Sequence, residues 1–197
     1  CSSDLADEHV TTFLGDSIVA VKDSQLITSD FQAAAEYEIS IDIKLLGTYN
    51  GWSNIFHFTV TGEDCCNYGD RIPAAWLKAN TGTVLYVSGS AYDLDTEDDE
   101  GNAHGYSSIE LPMNEWTTMQ FIAVGGYSKL YFNGTEVLSV ATDTRHPHAN
   151  AAVYLSDPWY QEANALVKNF KYRTLSYLQT DAYDHEYDSA DALGQYD

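Results

Sequence analysis

An alternating pattern of apolar and polar residues is the strongest local feature of this chain. Over residues 36–45, apolar side chains occupy every second position and polar side chains occupy the positions between them. Because successive side chains of a β-strand point to opposite faces, this run predicts a strand with one buried and one solvated face. Phe56, Phe58 and Val60 repeat the spacing after a turn-rich segment that ends at Gly51.

Further short runs have the composition of strands and are bounded by Gly, Asn or Pro. They cover residues 18–21, 26–28, 54–60, 72–77, 83–87, 116–124, 129–132, 136–140, 151–155 and 165–173. Asn133-Gly134 separates two of these runs and predicts a tight hairpin, because both residues tolerate positive φ. No convincing long amphipathic helix is present. The spacing of the strands predicts an all-β sandwich or barrel.

A change in composition near the end of the chain separates a body from a tail. Acidic residues alternate with Tyr183, Tyr187 and Tyr196 in the last part of the sequence. We predict one sandwich domain over residues 1–175 and an acidic, Tyr-rich tail over residues 176–197. The tail is expected to dock on its own body or on a neighbour through its tyrosines.

The charge balance excludes several classes of partner. The 197 residues include 30 Asp and Glu against 9 Lys and Arg, a formal net charge of −21. Such a surface repels nucleic-acid backbones and anionic lipid. No apolar run approaches the roughly 20 residues that span a bilayer. An apolar content of 44% also excludes a disordered acidic protein.

The first residue predicts a processed chain. The sequence starts at Cys1, so we expect removal of a signal peptide and a secreted, extracellular location. Asn133-Gly134-Thr135 fits the N-glycosylation pattern and agrees with that compartment. As an alternative, Cys1 followed by Ser-Ser-Asp is similar to the lipidated end of a bacterial lipoprotein.

The three cysteines leave one thiol over, whichever pair forms a disulfide. Cys65 and Cys66 are adjacent and could join each other only through a strained ring. The other pairing joins Cys1 to one of the two. A vicinal or an N-terminal bond is favoured over three free thiols, and the choice between them stays open.

Four short segments, taken in order, resemble one family. They are Gly51-Trp52-Ser53-Asn54-Ile55-Phe56-His57-Phe58, Gly69-Asp70-Arg71-Ile72-Pro73-Ala74, Leu111-Pro112-Met113-Asn114-Glu115-Trp116 and Tyr131-Phe132-Asn133-Gly134. They resemble the concanavalin A-like jelly roll, in the laminin-G-like branch of animal extracellular proteins. The resemblance covers roughly residues 10–175 and implies two antiparallel sheets. It implies no particular activity, because this fold hosts lectins, glycan hydrolases and adhesive domains.

An acidic run predicts a calcium site. Its carboxylates belong to Asp93, Asp95, Glu97, Asp98 and Asp99. Clustered carboxylates repel one another unless they are screened, and Ca²⁺ takes six to eight oxygen ligands. A solubilising hairpin tip explains the run equally well. A catalytic carboxylate pair is disfavoured, because the run continues to Gly101-Asn102 and has the composition of a loop.

Aromatic residues in three loops predict a binding surface for a ligand. The candidate residues are Tyr49, Asn50, Trp52, Tyr68, Asp70, Arg71, Trp76, Asp157, Trp159 and Tyr160. Sugars stack their C–H faces on aromatic rings while Asp, Asn and Arg bind the hydroxyls. Trp159 is expected to be exposed, whereas Trp52, Trp76 and Trp116 are expected to cap the core.

The sequence therefore predicts binding and no catalysis. The first hypothesis is a lectin-like saccharide-binding protein, with Ca²⁺ as a possible cofactor. The second is a carrier of an extended apolar ligand, such as a carotenoid, in an aromatic slot between protomers of a homo-oligomer. The third is a structural or adhesive extracellular module without a small ligand.

Overall fold

The computed structural model of the chain describes residues 9–65, 67–89, 103–143 and 145–175. Within these ranges the regular secondary structure consists of β-strands alone, and the strands form two sheets packed face to face. The predicted all-β, two-sheet jelly-roll sandwich is confirmed. The acidic run, Cys1, Cys66 and the predicted tail over residues 176–197 lie outside the described residues.

The described strands number fourteen. In chain order they are β1 (Val10–Thr12), β2 (Val19–Ala20), β3 (Leu26–Ala33), β4 (Tyr37–Leu45), β5 (Ser53–Thr59), β6 (Ala74–Leu77), β7 (Leu85–Ser88), β8 (His104–Tyr106), β9 (Thr117–Val124), β10 (Tyr127–Phe132), β11 (Thr135–Ala141), β12 (His148–Tyr154), β13 (Gln161–Glu162) and β14 (Ala165–Thr174).

Long-range antiparallel pairing builds both sheets. The first sheet has the order β1-β14-β4-β9-β10-β11, with β2 also paired to β14. The second sheet has the order β3-β12-β5-β6-β7-β8. Only β13 pairs in parallel among the described strands, along β5 in the second sheet. The central strands therefore come from distant parts of the chain, and loops gather at the rims.

The core lies between the sheets and follows the alternating pattern. Ile39, Ile41 and Ile43 of β4 are buried and face the second sheet, while the polar positions between them lie on the outer side. Phe58 and Phe170 belong to opposite sheets, and their ring centroids lie 6.1 Å apart. Full burial of each such side chain stabilises the fold by about 1.5–3 kcal/mol.

The predicted hairpin is confirmed between β10 and β11. Asn133 has φ of 48° and Gly134 has φ of 80°, so both turn residues adopt the left-handed conformation. The Asn133 side chain also accepts a hydrogen bond from the Thr118 backbone N–H, at 2.8 Å. Because this contact joins the turn to β9, Asn133 has a structural role whether or not it carries a glycan.

Candidate functional site

A concave site lies on the outer face of the second sheet. Seven of the described residues line it, and we call it the aromatic cleft: Trp52, Arg71, Trp76, Tyr86, His104, Tyr106 and Tyr160. Its volume is about 250 Å³. It is large enough to hold a small group of atoms such as one sugar ring, and its walls are mainly aromatic.

Strand alternation explains why the rings face outward. In β7, Leu85 and Val87 belong to the core, so Tyr86 between them points away from it. Trp76 of β6 pairs with Tyr86 across the sheet, and Tyr86 pairs in turn with Tyr106 of β8. Three neighbouring strands thus place three aromatic side chains in one row.

The rings of the cleft are in contact along this row. Ring centroids lie 5.6 Å apart for Trp76 and Tyr86, and 5.1 Å apart for Tyr86 and Tyr106. Trp52 makes an edge contact with Tyr86 at 5.4 Å, and Tyr160 makes one with Trp76 at 5.8 Å. The cleft therefore has a continuous aromatic surface with the width of several rings.

A single guanidinium group lies against this surface. The Cζ atom of Arg71 lies 4.6 Å from the centroid of the Trp76 ring. Arg71 Nε donates to the Asp64 carbonyl oxygen at 2.7 Å, and Nη1 donates to the Tyr86 hydroxyl at 3.4 Å. Burial raises the pKa of Tyr86, and the nearby positive charge of Arg71 opposes that rise. The phenol is therefore neutral at ordinary pH.

A buried histidine connects the two loops that supply Arg71 and Tyr160. His57 Nδ1 lies 2.8 Å from Asp157 Oδ2, and Nε2 lies 2.7 Å from the Asp70 carbonyl oxygen. Asp157 Oδ1 also accepts hydrogen bonds from the backbone N–H groups of Trp159, at 3.1 Å, and Tyr160, at 2.9 Å. His57 thereby links the loop before β6 to the loop after β12.

Two predicted ligand-binding carboxylates are used inside the fold instead. Asp70 and Asp157 are fully buried. Asp70 accepts hydrogen bonds from the Asn67 backbone N–H at 2.7 Å and from the Thr61 hydroxyl at 2.6 Å. The prediction that these carboxylates contact a ligand is wrong for this structure, because each is buried and accepts hydrogen bonds from groups in its own loop or a neighbouring one.

The other predicted residues divide between the cleft and the rest of the surface. Trp52, Arg71, Trp76 and Tyr160 line the cleft, whereas Tyr49, Asn50 and Tyr68 do not. The turn between β4 and β5 contains a half-buried Tyr49 and an exposed Asn50, and the Tyr68 ring lies 5.4 Å from that of His148.

Two tryptophans test the exposures expected from the sequence. The Trp159 ring is half-buried 5.2 Å from the His57 ring, so the expectation that it is exposed is wrong. Trp76 is only 2% exposed and so is buried as expected, but its ring lies on the outer face of the second sheet and not in the core between the sheets.

Sequence reasoning missed Tyr86, His104 and Tyr106. The alternation of Leu85, Tyr86 and Val87 could have placed Tyr86 outward. No sequence pattern marks His104 and Tyr106, because β8 has only three residues and includes Gly105. Its strand conformation depends on pairing with β7, which no local pattern encodes.

Several predicted features remain predictions. Asp93, Asp95, Glu97, Asp98 and Asp99 lie outside the described residues, and the described residues contain no group of three or more His, Cys, Asp or Glu that could hold a metal. Cys65 is disulfide-bonded, but its partner lies outside the described ranges. Asn133 is exposed. No helix in the described ranges is long and apolar enough to cross a membrane.

Comparison with known proteins shows the fold alone. No protein-family model matches the sequence, and no curated protein matches it. Domain 4 of AbnA, a GH43 extracellular arabinanase from Geobacillus stearothermophilus solved in complex with arabinotriose, is similar over 85% of this chain and 82% of that domain, with 18% identity and a TM-score of 0.54. The fructosyltransferase of A. japonicus is similar over 88% of this chain but 27% of the enzyme, with 13% identity and a TM-score of 0.52.

These likenesses agree with the jelly-roll sandwich seen in the strand order. They do not single out the laminin-G-like branch of animal proteins, so that finer resemblance stays a prediction.

Proposed function

We propose that this protein is a non-catalytic saccharide-binding protein and that the aromatic cleft is its binding site. The observation that carries the proposal is the row of outward-facing rings across β6, β7 and β8, with the Arg71 guanidinium beside it. Aromatic faces bind the C–H faces of sugar rings, and nearby polar groups orient the hydroxyls. A rigid sheet holds these groups in place before a ligand arrives, which lowers the entropic cost of binding.

The lining of the cleft favours binding over hydrolysis. Glycoside hydrolysis ordinarily requires two carboxyl groups on either side of the scissile bond. None of the seven described residues that line the cleft is Asp or Glu. Asp157, a nearby carboxylate, is fully buried and engaged by His57. Among the described residues, the lining of the cleft therefore favours holding a sugar over cleaving one.

The structural likeness to domain 4 of AbnA supports the choice of ligand class. That domain was solved in complex with arabinotriose and shares the sandwich fold with this chain. Arabinotriose is accordingly one suitable first probe, together with an array of neutral and acidic oligosaccharides.

A pair of exposed tyrosines tests the location of the site. Tyr106 lines the cleft and is 42% exposed, while Tyr127 lies in the first sheet and is 47% exposed. Tyr106→Ala should weaken binding of the best array ligand by about tenfold, equivalent to about 1.4 kcal/mol. Tyr127→Ala removes a ring of similar exposure and should leave the affinity unchanged. Equal effects of the two variants would locate binding elsewhere.

The carotenoid-carrier and structural-module hypotheses predict different results for the same purified protein. A bound carotenoid would give a visible absorbance band in protein purified from its source. A structural or adhesive module would bind no saccharide on the array and would form a stable homo-oligomer. Binding that disappears with a chelator would support the predicted Ca²⁺ site. Secretion, the homo-oligomer and the calcium site stay predictions.

A further inference from the structure

We infer that the aromatic cleft selects short saccharides that carry a carboxylate and that Arg71 contacts this group. The inference rests on the proposed function and specifies its ligand. Arg71 occupies an unusual position in a chain with 9 basic and 30 acidic residues.

Arg71 is a buried cation that forms no ion pair with a carboxylate of the described residues. It lines the cleft but is only 8% exposed. Within the described ranges no carboxylate forms an ion pair with it, and its Nη2 atom donates to no protein atom. A buried charge is costly unless it is paired and hydrogen-bonded. An anion in the cleft would supply that pairing.

A second unpaired donor lies in the same cleft. The Nε1 atom of Trp76 is buried and has no hydrogen-bond partner in the described part of the protein. Most buried polar groups are hydrogen-bonded, so an indole N–H without an acceptor is uncommon. The cleft thus contains two donor groups, on Arg71 and Trp76, for which the described residues supply no acceptor, and its seven described lining residues include no carboxylate.

The charges around the cleft favour a small anion. Lys78 Nζ lies 4.6 Å from the centroid of the Tyr106 ring, which lines the cleft. Among the described residues, Asp64 adds negative charge beside Tyr160: burial is the main cause that raises the pKa of Tyr160, and Asp64 raises it further through its charge and a hydrogen bond. Asp157 is already held by His57.

Charges within the cleft act most strongly on a ligand bound there, because the Debye length is only about 8 Å at physiological ionic strength. The net charge of −21 instead opposes the approach of a long polyanion. A short acidic saccharide is therefore the expected ligand, rather than a polyuronate chain.

The geometry of the guanidinium favours a carboxylate as the anion. Its planar fork of N–H groups matches the two oxygens of a carboxylate and can bind them side by side. The same group stacks over Trp76, so a ligand that pairs with it also meets the aromatic surface. A uronic acid has both parts: a pyranose ring for stacking and a carboxylate at one end.

Isothermal titration with matched sugars tests the inference. The probes are trigalacturonic acid, its methyl ester and the neutral galactose trisaccharide with the same linkage. The wild-type protein should bind the acid at least tenfold more tightly than the ester or the neutral trisaccharide. Arg71→Gln should reduce this ratio to about one, and Arg71→Lys should retain only part of it, because an ammonium group lacks the planar fork.

The possible outcomes separate this inference from the proposed function. Equal affinity for the acid and the neutral trisaccharide overturns the inference and leaves saccharide binding intact. If the protein binds none of the three probes, the inference is overturned. If it also binds no saccharide on the array, the proposed function is overturned too. If the Arg71 variants fail to fold, the comparison of acid with ester on the wild-type protein decides alone.

Discussion

The hydrogen-bonded pair of His57 and Asp157 gives a sharp prediction about stability. Both side chains are fully buried, and the Asp157 carboxylate accepts from three donors: His57, the Trp159 backbone and the Tyr160 backbone. Asp157→Ala leaves all three donors without their acceptor at once. Asp157→Asn keeps the oxygen that the two backbone N–H groups require.

The magnitude follows from what each substitution leaves unpaired. The alanine variant leaves three buried donors without partners, at about 1–3 kcal/mol each. These costs overlap, so we expect a loss of about 4 kcal/mol. In the asparagine variant, the amide can donate to His57 Nδ1 while Nε2–H still donates to the Asp70 carbonyl. We therefore expect a loss of only about 1 kcal/mol.

Urea denaturation and thermal unfolding, both followed by tryptophan fluorescence, measure the difference. A domain of this size loses about 2–4 °C in Tm per kcal/mol. The alanine variant should therefore melt about 8–16 °C below the wild type, and the asparagine variant about 2–4 °C below it. Asp16→Ala is the control, because Asp16 is exposed. Surface substitutions of this kind usually change stability by less than about 0.5 kcal/mol.

One pattern of results would refute this reasoning. If Asp157→Ala and Asp157→Asn were equally stable, within about 0.5 kcal/mol, the carboxylate would not be acting as a shared acceptor. An Asp157→Ala protein with native stability and native saccharide affinity would show further that the loop carrying Tyr160 needs no such anchor.

Three further predictions address the core, a turn and a titrating group. Phe170→Ala removes a fully buried ring and should lower the free energy of unfolding by about 3–5 kcal/mol in urea denaturation. Gly82→Ala should cost more than about 1 kcal/mol in the same assay, because Gly82 has φ of 66° and an added Cβ would clash with Thr48. In the folded protein the pKa of His148 is lowered, mainly by burial and further by the charge of His146. The unfolded chain therefore binds the proton more readily, so the free energy of unfolding falls as the pH drops below the ordinary histidine pKa. His148→Gln should flatten this loss when urea midpoints are compared at about pH 7.5 and about pH 5.5; a parallel loss in both proteins would contradict it.

Much of the fold was predictable because its strands carry local patterns. The run over residues 36–45 became β4 (Tyr37–Leu45), with the alternating positions in the core. Asn133-Gly134 formed the hairpin turn for a reason contained in the dipeptide itself. By contrast, β1, β8 and β13 have two or three residues each and were not predicted. Such short segments become strands only when a partner strand supplies the hydrogen bonds.

The candidate site was predictable in part. The sequence predicts Trp52, Arg71, Trp76 and Tyr160 as ligand-binding residues from their type and their place near loops, and all four line the cleft. Residue type could not show that Asp70 and Asp157 are buried. An aspartate in a loop can bind a ligand or cap the loop, and both choices satisfy the carboxylate.

The sequence by itself determined the class of architecture and the abundance of aromatic and acidic side chains. These follow from periodicity and composition, which act over a few residues at a time. The tertiary structure alone decided that Trp76, Tyr86 and Tyr106 form one row, and that a buried histidine joins two distant loops beside it. These arrangements depend on cross-strand register and burial, which arise only when segments far apart in the chain pack together.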